Sequence, residues 1–128
     1  MSKPERRKRH PSAIQLRGRI AIEIGRRSAL SEAGADLLEQ IAISGSLSEA
    51  ARQLHFSYRW AWLLVDSINR AWDEPLVRTA TGGKRGGGAT LTDFGKTVLA
   101  AYRHLQIELE HFLDQQAEPF QSAVKAPR

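Results

Sequence analysis

An alternation of apolar and polar residues near the start of the chain predicts a β-strand. From Ile14 to Ile24 most apolar side chains are separated by single polar ones. A period of two over this length is typical of a strand with one buried face. After Gly25 the apolar residues recur instead at spacings of three and four, which indicates helices. We therefore expect one N-terminal strand followed by a helical region.

Three helices are expected next, each marked by a residue that favours a helix end. The first begins at Ser31 and stops at Gly45, since glycine readily adopts the left-handed conformation that closes helices. Residues 46–49, SLSE, have the form of a capping box and predict a short second helix. Ser57 caps a third helix that runs to Trp72. The residues expected to be buried are Leu37, Leu38, Ile41, Ala42, Ala50, Ala51, Leu54, Ala61, Leu64, Val65, Ile68 and Trp72.

A β-hairpin and a long helix complete the predicted order. Residues 76–81 and 89–91 favour strands, and the glycine-rich stretch 82–88 predicts a flexible loop with a basic tip. Thr92 or Asp93 caps a fourth helix whose apolar seam is wider than so short a chain can cover by itself. We expect a second copy of the chain to cover it. The seam residues are Phe94, Val98, Ala101, Leu105, Leu109 and Phe112.

This order of elements predicts a mainly α fold with a small β component, a winged helix-turn-helix with a long C-terminal dimerisation helix. A chain of 128 residues has room for one such domain. We expect a basic disordered tail over residues 1–12, the DNA-binding and dimerisation domain over 13–116, and a second disordered tail over 117–128. No apolar run approaches the roughly 20 residues that cross a bilayer, so no membrane partner is expected. The absence of cysteine suits a reducing compartment, and we expect the protein to be cytoplasmic.

Charge is distributed unevenly along the chain. The formal net charge is +5, and residues 1–30 hold nine of the 19 Lys and Arg residues but two of the 14 acidic ones. The folded part must therefore bind a polyanion, if it binds one, through a few well-placed cations. The basic N-terminal tail is compatible with a solubilising leader or with an accessory arm that binds phosphates, and the composition does not separate the two.

The first turn of the third helix is the predicted reading surface, because that helix fits the major groove of double-stranded DNA. Arg59 is the first candidate for base recognition, since its guanidinium can donate two hydrogen bonds to guanine. Trp62 is expected mainly to pack, whereas packing and contact with thymine methyl groups are equally open for Trp60. The candidate DNA contacts are Ser46, Ser57, Tyr58, Arg59, Trp60, Trp62, Leu63 and, at the hairpin tip, Lys84 and Arg85.

No catalytic constellation is recognisable in the chain. Neither a Ser-His-Asp triad nor a pair of carboxylates can be assembled, and the absence of cysteine excludes disulfides and thiolate metal sites. His104 and His111 stand seven positions apart on one predicted helix, roughly 10 Å along its axis, which is too far to share a metal ion. We expect no enzyme activity, no cofactor, no metal and no small-molecule ligand within this chain.

Three segments resemble the N-terminal domain of ModE-type molybdate-responsive regulators, and more distantly the LysR-type regulators. They are residues 43–51 (ISGSLSEAA), 57–62 (SYRWAW) and, most specifically, the wing at 78–92 (RTATGGKRGGGATLT). The resemblance covers about residues 14–113. It implies a bacterial repressor or activator that dimerises and reads an inverted-repeat operator, commonly near molybdate-transport or molybdoenzyme genes.

Two departures from the family pattern change these expectations. Full-length members continue into a molybdate-binding β-domain, and the sequence stops where that domain would begin, so direct molybdate sensing is not expected. Trp60 replaces a residue that is usually small, so the operator sequence is expected to differ. Two other functions stay open: a partner or antagonist that forms mixed dimers with a full-length regulator, and a nonspecific architectural nucleic-acid-binding protein driven by the N-terminal tail.

Overall fold

The computed structural model describes residues 13–80 and 88–124 of the chain. Two short antiparallel sheets and several helices make up these stretches. No helix within them has both the length and the apolar character needed to cross a membrane. The elements are β1 (Ile22–Ile24), β2 (Arg27–Leu30), α1 (Glu32–Ser44), α2 (Leu47–Gln53), α3 (Tyr58–Ala71), β3 (Val77–Thr79), β4 (Ala89–Leu91), α4 (Asp93–Gln116) and α5 (Glu118–Gln121).

The N-terminal segment differs from the long strand that its alternation predicts. Only β1 is paired, and its partner is the unpredicted β2, across a turn where Gly25 has a φ of +63°. The preceding residues lie along α4, where the Tyr102 hydroxyl donates to the Ile20 carbonyl at 2.8 Å and Gly18 lies against Leu109. A period of two indicates one covered face, and a helix covers it here. The half-buried side chains are Ile14, Leu16, Ile20 and Ile22.

The predicted caps of the first three helices are confirmed. The hydroxyl oxygens of Ser31, Ser46 and Ser57 each accept from the backbone N–H three residues further on, at 3.1, 3.2 and 3.0 Å. Gly45 ends α1 in the left-handed region with a φ of +68°. These side chains satisfy N–H groups that have no partner inside the helix, so each boundary is fixed locally.

The three helices pack around a core that also receives the hairpin and α4. Small side chains of α2 face this core, and α1 and α3 supply its larger members. Ala42 was expected to be buried, but it is exposed, so that prediction is wrong. Leu54, Leu64 and Trp72 are partly buried. The fully or nearly buried helical residues include Leu37, Leu38, Ile41, Ala50, Ala51, Ala61, Val65 and Ile68.

The predicted hairpin is present and is attached to the helices at both strands. Val77 pairs with Leu91 and Thr79 with Ala89. On one side, the Ala89 N–H donates to the Gly45 carbonyl at 3.0 Å, and Ser46 forms an isolated bridge with Gly88. The turn between α1 and α2 thus extends the hairpin sheet. Helix-turn-helix and wing therefore form one winged helix-turn-helix unit, as the sequence predicts.

Two residues fix α4 against this unit. Gly95 lies so close to the backbone of Leu76 that a Cβ at its position would overlap the Leu76 carbonyl oxygen. Further along, the fully buried guanidinium of Arg103 pairs with Asp36 at 3.0 Å and Glu39 at 3.2 Å, both on α1. Burying a cation is favourable only when carboxylates compensate it. Arg103 therefore links α4 to α1 in one register.

Part of the seam assigned to a second copy belongs to the chain's own core. Val98 is buried there within the single chain, and its contact with a partner stays a prediction. Phe94 is half-buried and packs edge-to-face on Trp72, with ring centroids 5.8 Å apart. Leu109 is half-buried beside the N-terminal segment. The seam residues that stay exposed are Ala101, Leu105 and Phe112.

The C-terminal segment is more ordered than expected. Residues 117–128 were predicted to be disordered, but Ala117 is buried and begins the short helix α5. The Gln121 side chain accepts a hydrogen bond from the Ile14 backbone at 2.6 Å. The prediction is wrong for residues 117–124, because Pro119 is compatible with a first helical turn. Residues 125–128 lie outside the described stretches, as does the predicted tail over 1–12.

Candidate nucleic-acid interface

The turn between α2 and α3 sets the direction in which α3 leaves the core. The Phe56 N–H donates back to the Ala51 carbonyl at 2.9 Å, and His55 adopts a positive φ of 57°. A non-glycine residue in that region reverses the chain sharply. Phe56 packs against the core, so the turn is held from inside as well. The sequence did not indicate that His55 would take this conformation.

The amino end of α3 is solvent-exposed. Ser57 is exposed although its hydroxyl caps the helix through the Trp60 N–H. Arg59 is exposed, and no hydrogen bond or ion pair connects it to another residue of the described stretches. Such an arginine keeps its five N–H donors available for an external acceptor. This is the placement that base or phosphate recognition requires.

Large apolar side chains surround Arg59 on the same open side of α3. Tyr58 is 50% exposed, Trp60 and Trp62 are both 49% exposed, and Leu63 is 42% exposed. Four large exposed apolar side chains on one helix are unusual for a surface that faces only water. The structure thus brings together six of the candidates, Ser57, Tyr58, Arg59, Trp60, Trp62 and Leu63.

Trp62 departs from its prediction. Packing was favoured for this side chain, yet about half of it is exposed. The core stripe of α3 is narrow, because it runs through Ala61, Val65 and Ile68. Trp62 follows Ala61 and is rotated from it by about 100° around the helix, which takes it off that stripe. The Trp60 side chain is exposed to the same extent, and its contact with DNA stays a prediction.

One candidate, Ser46, lies apart from these six, and two candidates lie outside the described residues. Ser46 sits at the amino end of α2, half-buried, where it caps that helix and meets Gly88 of the wing. Lys84 and Arg85 lie outside the described residues. The described strands nevertheless place the base of the wing beside the α1–α2 turn. Contacts of these three side chains with DNA stay a prediction.

Asn69 fixes the wing relative to α3, and sequence patterning did not identify it. Its side-chain oxygen accepts from the N–H groups of Leu76 and Val77 at 2.9 and 3.1 Å, and its amide donates to the Val77 carbonyl at 2.9 Å. A single polar side chain at the inner side of α3 thus satisfies three backbone groups of the wing strand. The helix α3 and the wing are therefore held in one relative orientation.

The surface of α2 carries its own ion pair. Glu49 was expected to complete a capping box with Ser46, but its carboxylate binds Arg52 and Gln53 instead. The hydrogen bond from Arg52 lowers the pKa of Glu49 to about 2. Arg52 is thereby partly neutralised, so the uncompensated cation of the helix-turn-helix is Arg59. The chemistry offered by this surface is hydrogen-bond donation flanked by aromatic and apolar contacts.

Comparison with known proteins identifies relatives of the chain. "Molybdenum transport protein ModE" of Azotobacter vinelandii is 38% identical over 107 residues, which is 84% of this chain and 40% of that protein. "DNA-binding transcriptional dual regulator ModE" of Escherichia coli K12 is 40% identical over 94 residues, 70% of this chain and 36% of that protein. The chain is a homologue of ModE-type regulators. No model of a protein family matches it.

Other relatives carry molybdenum in their names as well. "Molybdenum-pterin-binding protein MopB" of Rhodobacter capsulatus is 47% identical over 66 residues, 52% of this chain and 24% of that protein. The chain therefore spans about a quarter to two fifths of the length of these relatives. None of the three relatives is named for an enzyme activity. The resemblance seen in the wing and helix-turn-helix segments is confirmed by this homology.

Proposed function

We propose that the chain is a sequence-specific DNA-binding transcription regulator that works as a homodimer on an inverted-repeat operator. One observation carries this proposal: the amino end of α3 projects Arg59 into solvent among exposed aromatic side chains, on a helix held by a winged scaffold. An α-helix matches the width of the major groove, and its first turn then reaches base edges. In this arrangement Arg59 reads guanine, and Ser57 and Tyr58 contact phosphate or base.

The exposed part of the α4 seam supports the homodimer. Leu105 is 46% exposed and Phe112 is 57% exposed, and Ala101 lies on the same side of the helix. These positions span about 16 Å of one helix, at 1.5 Å of rise per residue. A second copy that buries this stripe against its own generates a twofold axis, and a twofold axis fits an inverted repeat. No catalytic role is part of the proposal.

The names of the relatives support a link to molybdenum. We infer that the operator lies near genes for molybdate transport or molybdoenzymes, and that the protein acts in the cytoplasm. Sensing of molybdate is not assigned to the described residues. A genome-wide footprint of DNA binding tests this link, since sites without such neighbouring genes would contradict it.

Selection from random duplexes tests the DNA-binding proposal itself. Duplexes enriched by the wild-type chain should bind about 10³-fold or more tightly than scrambled duplexes at moderate salt. Arg59→Ala should remove about 1 to 3 kcal/mol of preference at one base step, whereas Lys84→Ala should weaken all sequences alike. Tight binding without preference would instead support the architectural function, especially if deletion of residues 1–12 abolished it.

The dimer is tested separately. Phe112→Glu and Leu105→Glu place a charge in the exposed stripe, so sedimentation should show monomers where the wild-type chain is dimeric. The melting curve of the monomeric domain should be preserved, because neither side chain is in the core. A wild-type chain that stays monomeric at high concentration contradicts the homodimer. Mixed dimers with a full-length ModE-type regulator would support the antagonist function.

A further inference from the structure

A second group of cations lies at the opposite end of α3 from Arg59. An open surface depression separates β2 from the carboxyl half of α3, and both sides of it carry an arginine. Neither arginine was a DNA-binding candidate in the sequence. The strand β2, which brings Arg27 to α3, was not predicted. The residues that line it are Arg27, Leu63, Asp66, Ser67 and Arg70.

Arg27 is held at this end of α3 by a hydrogen bond. Its Nη1 donates to the Arg70 carbonyl oxygen at 3.1 Å, across 43 positions of sequence. That carbonyl belongs to the last turn of α3, where a cation also offsets the negative end of the helix dipole. An arginine has five N–H donors, and within the described stretches Arg27 has no other acceptor. Most of its donors are therefore available, and its backbone position is fixed by the hairpin.

Arg70 supplies the second cation. Its side chain is 71% exposed and forms an i, i+4 ion pair with Asp66, Nε to Oδ2, at 3.0 Å. That contact holds the guanidinium over the side of α3 and occupies one of its nitrogens. Two arginines and one aspartate leave a positive formal charge at the depression. The Ser67 side chain, also exposed, adds a hydroxyl donor.

Helical geometry places this group on the same side of α3 as Arg59. Eleven residues separate Arg59 from Arg70, which at 3.6 residues per turn amounts to about three turns plus 20°. The same eleven residues cover about 16 Å along the helix axis, whereas the major groove is about 12 Å wide. When Arg59 reaches the bases, the far end of this face is therefore beyond the groove floor, at the level of a phosphate wall.

We propose that Arg27 and Arg70 form a second DNA-backbone site, which grips phosphates at the carboxyl end of α3 while the amino end reads bases. The site deepens the proposed function and rests on it. A phosphate oxygen between the two guanidiniums would receive charge-assisted hydrogen bonds from both arginines. The hairpin β1–β2 would then contribute to the DNA interface in addition to the wing.

Salt-dependent binding tests this site. The full chain and its variants are titrated, by fluorescence anisotropy, into a labelled 30-bp mixed-sequence duplex at KCl concentrations from 50 to 300 mM. Arg27→Gln and Arg70→Gln should each reduce the magnitude of the slope of log K against log[KCl] by about 0.9. At 100 mM salt this corresponds to roughly eightfold weaker binding per variant, if affinities at 1 M salt are equal. Thermal unfolding verifies that each variant is folded.

Matched variants separate a phosphate contact from other effects. Arg27→Lys keeps the charge and should retain nearly the wild-type slope. Lys96→Gln removes an exposed cation from α4 and should leave the slope unchanged. Asp66→Asn should strengthen binding, because it removes a negative charge and releases Arg70. Preference for a selected duplex over a scrambled one should survive in both Gln variants, since phosphate contacts carry no sequence information.

The outcomes distinguish this site from the proposed function. If the wild-type chain binds no duplex, both are overturned. If it binds and the two Gln variants keep the wild-type slope, the Arg27–Arg70 site alone is overturned. A loss of sequence preference with an unchanged slope would assign Arg70 to base recognition instead and would also contradict the site.

Discussion

The two long helices of the domain, α3 and α4, use their partner surfaces differently. From the sequence, α3 was predicted to bury one side and to offer the other to DNA, whereas α4 was predicted to offer its wide apolar seam to a second copy of the chain. In α3 the offered side is open, with Arg59, Trp60 and Trp62 all exposed. In α4 part of the apolar seam is used internally, since Val98 is in the core, and the two fully buried residues of this helix include a cation, Arg103.

The difference shows what periodicity can and cannot assign. An apolar stripe indicates that one face of a helix is covered. It does not indicate which element of the protein, or which partner, covers that face. The stripe of α3 is narrow and its opposite side is polar and aromatic, so the two sides are easily told apart. The stripe of α4 is wide because it meets the wing, α1 and the N-terminal segment in turn. The following predictions test this contrast, from the largest expected effect to the smallest.

Arg103 should make the largest contribution to stability among these positions. Arg103→Leu leaves Asp36 and Glu39 beside the core without their buried cation, and removal of one member of a buried ion pair costs about 3 to 5 kcal/mol. Urea unfolding followed by circular dichroism measures the loss. Arg52→Ala, which breaks an exposed pair with Glu49, should leave the unfolding free energy nearly unchanged. Equal effects of the two substitutions would contradict the structural role of Arg103.

Gly95 should be the next most sensitive position. Gly95→Ala forces a methyl group into the carbonyl of Leu76, and the backbone cannot yield as a flexible side chain would. We expect a loss of about 2 to 3 kcal/mol, as for other overpacked sites. Gly88→Ala is the matched control, because a Cβ there meets its nearest neighbour, the Gly45 carbonyl oxygen, at an ordinary 3.7 Å. A tolerated Gly95→Ala would show that α4 and the wing are not in contact at this point.

Val98 and Leu105 provide the direct test of which part of the α4 seam is internal. Val98→Ala removes two buried methyl groups and should cost about 2 kcal/mol in the unfolding of the monomeric domain. Leu105→Ala should hardly affect the monomer, because its side chain is 46% exposed, and should weaken self-association instead. Unfolding at low protein concentration and sedimentation at high concentration separate the two. A reversal of these effects would return Val98 to the dimer interface.

The sequence predicted the helix boundaries and the hairpin well because both are encoded locally. Ser31, Ser46 and Ser57 cap their helices through groups only three residues away, and Gly45 ends α1 by its own backbone preference. The candidate surface on α3 followed from the same local information. Its exposed side is the side that the apolar spacing leaves out.

The features that the sequence did not yield depend on residues far apart in the chain. Arg103 meets α1 across more than 60 positions, and a lone arginine in an apolar stripe gives no sign of its partners. Arg27 reaches α3 from a hairpin whose second strand contains four residues. Asn69 resembles any polar residue of an amphipathic helix until the wing strand folds against it. The segment over residues 14–21 was predicted to be a strand, because a period of two indicates one covered face, but α4 covers that face and these residues are not in a strand.

The smallest expected effect is that of substitutions at Ser57, at the amino end of α3. These substitutions distinguish the stability of the fold from the binding of DNA. Ser57→Ala removes the cap of α3 and should cost about 1 kcal/mol of stability. Ser57→Asp keeps an acceptor for the Trp60 N–H and should restore that stability, yet it sets a carboxylate against DNA phosphates and should weaken duplex binding. Ser31→Asp makes the same change at the cap of α1, where no DNA contact is proposed, and should leave binding unaltered. Calorimetric melting and anisotropy titrations measure the two properties independently. If Ser57→Asp bound duplex as tightly as the wild-type chain, the amino end of α3 would not be at the DNA, and α3 would then resemble α4 in serving the protein alone.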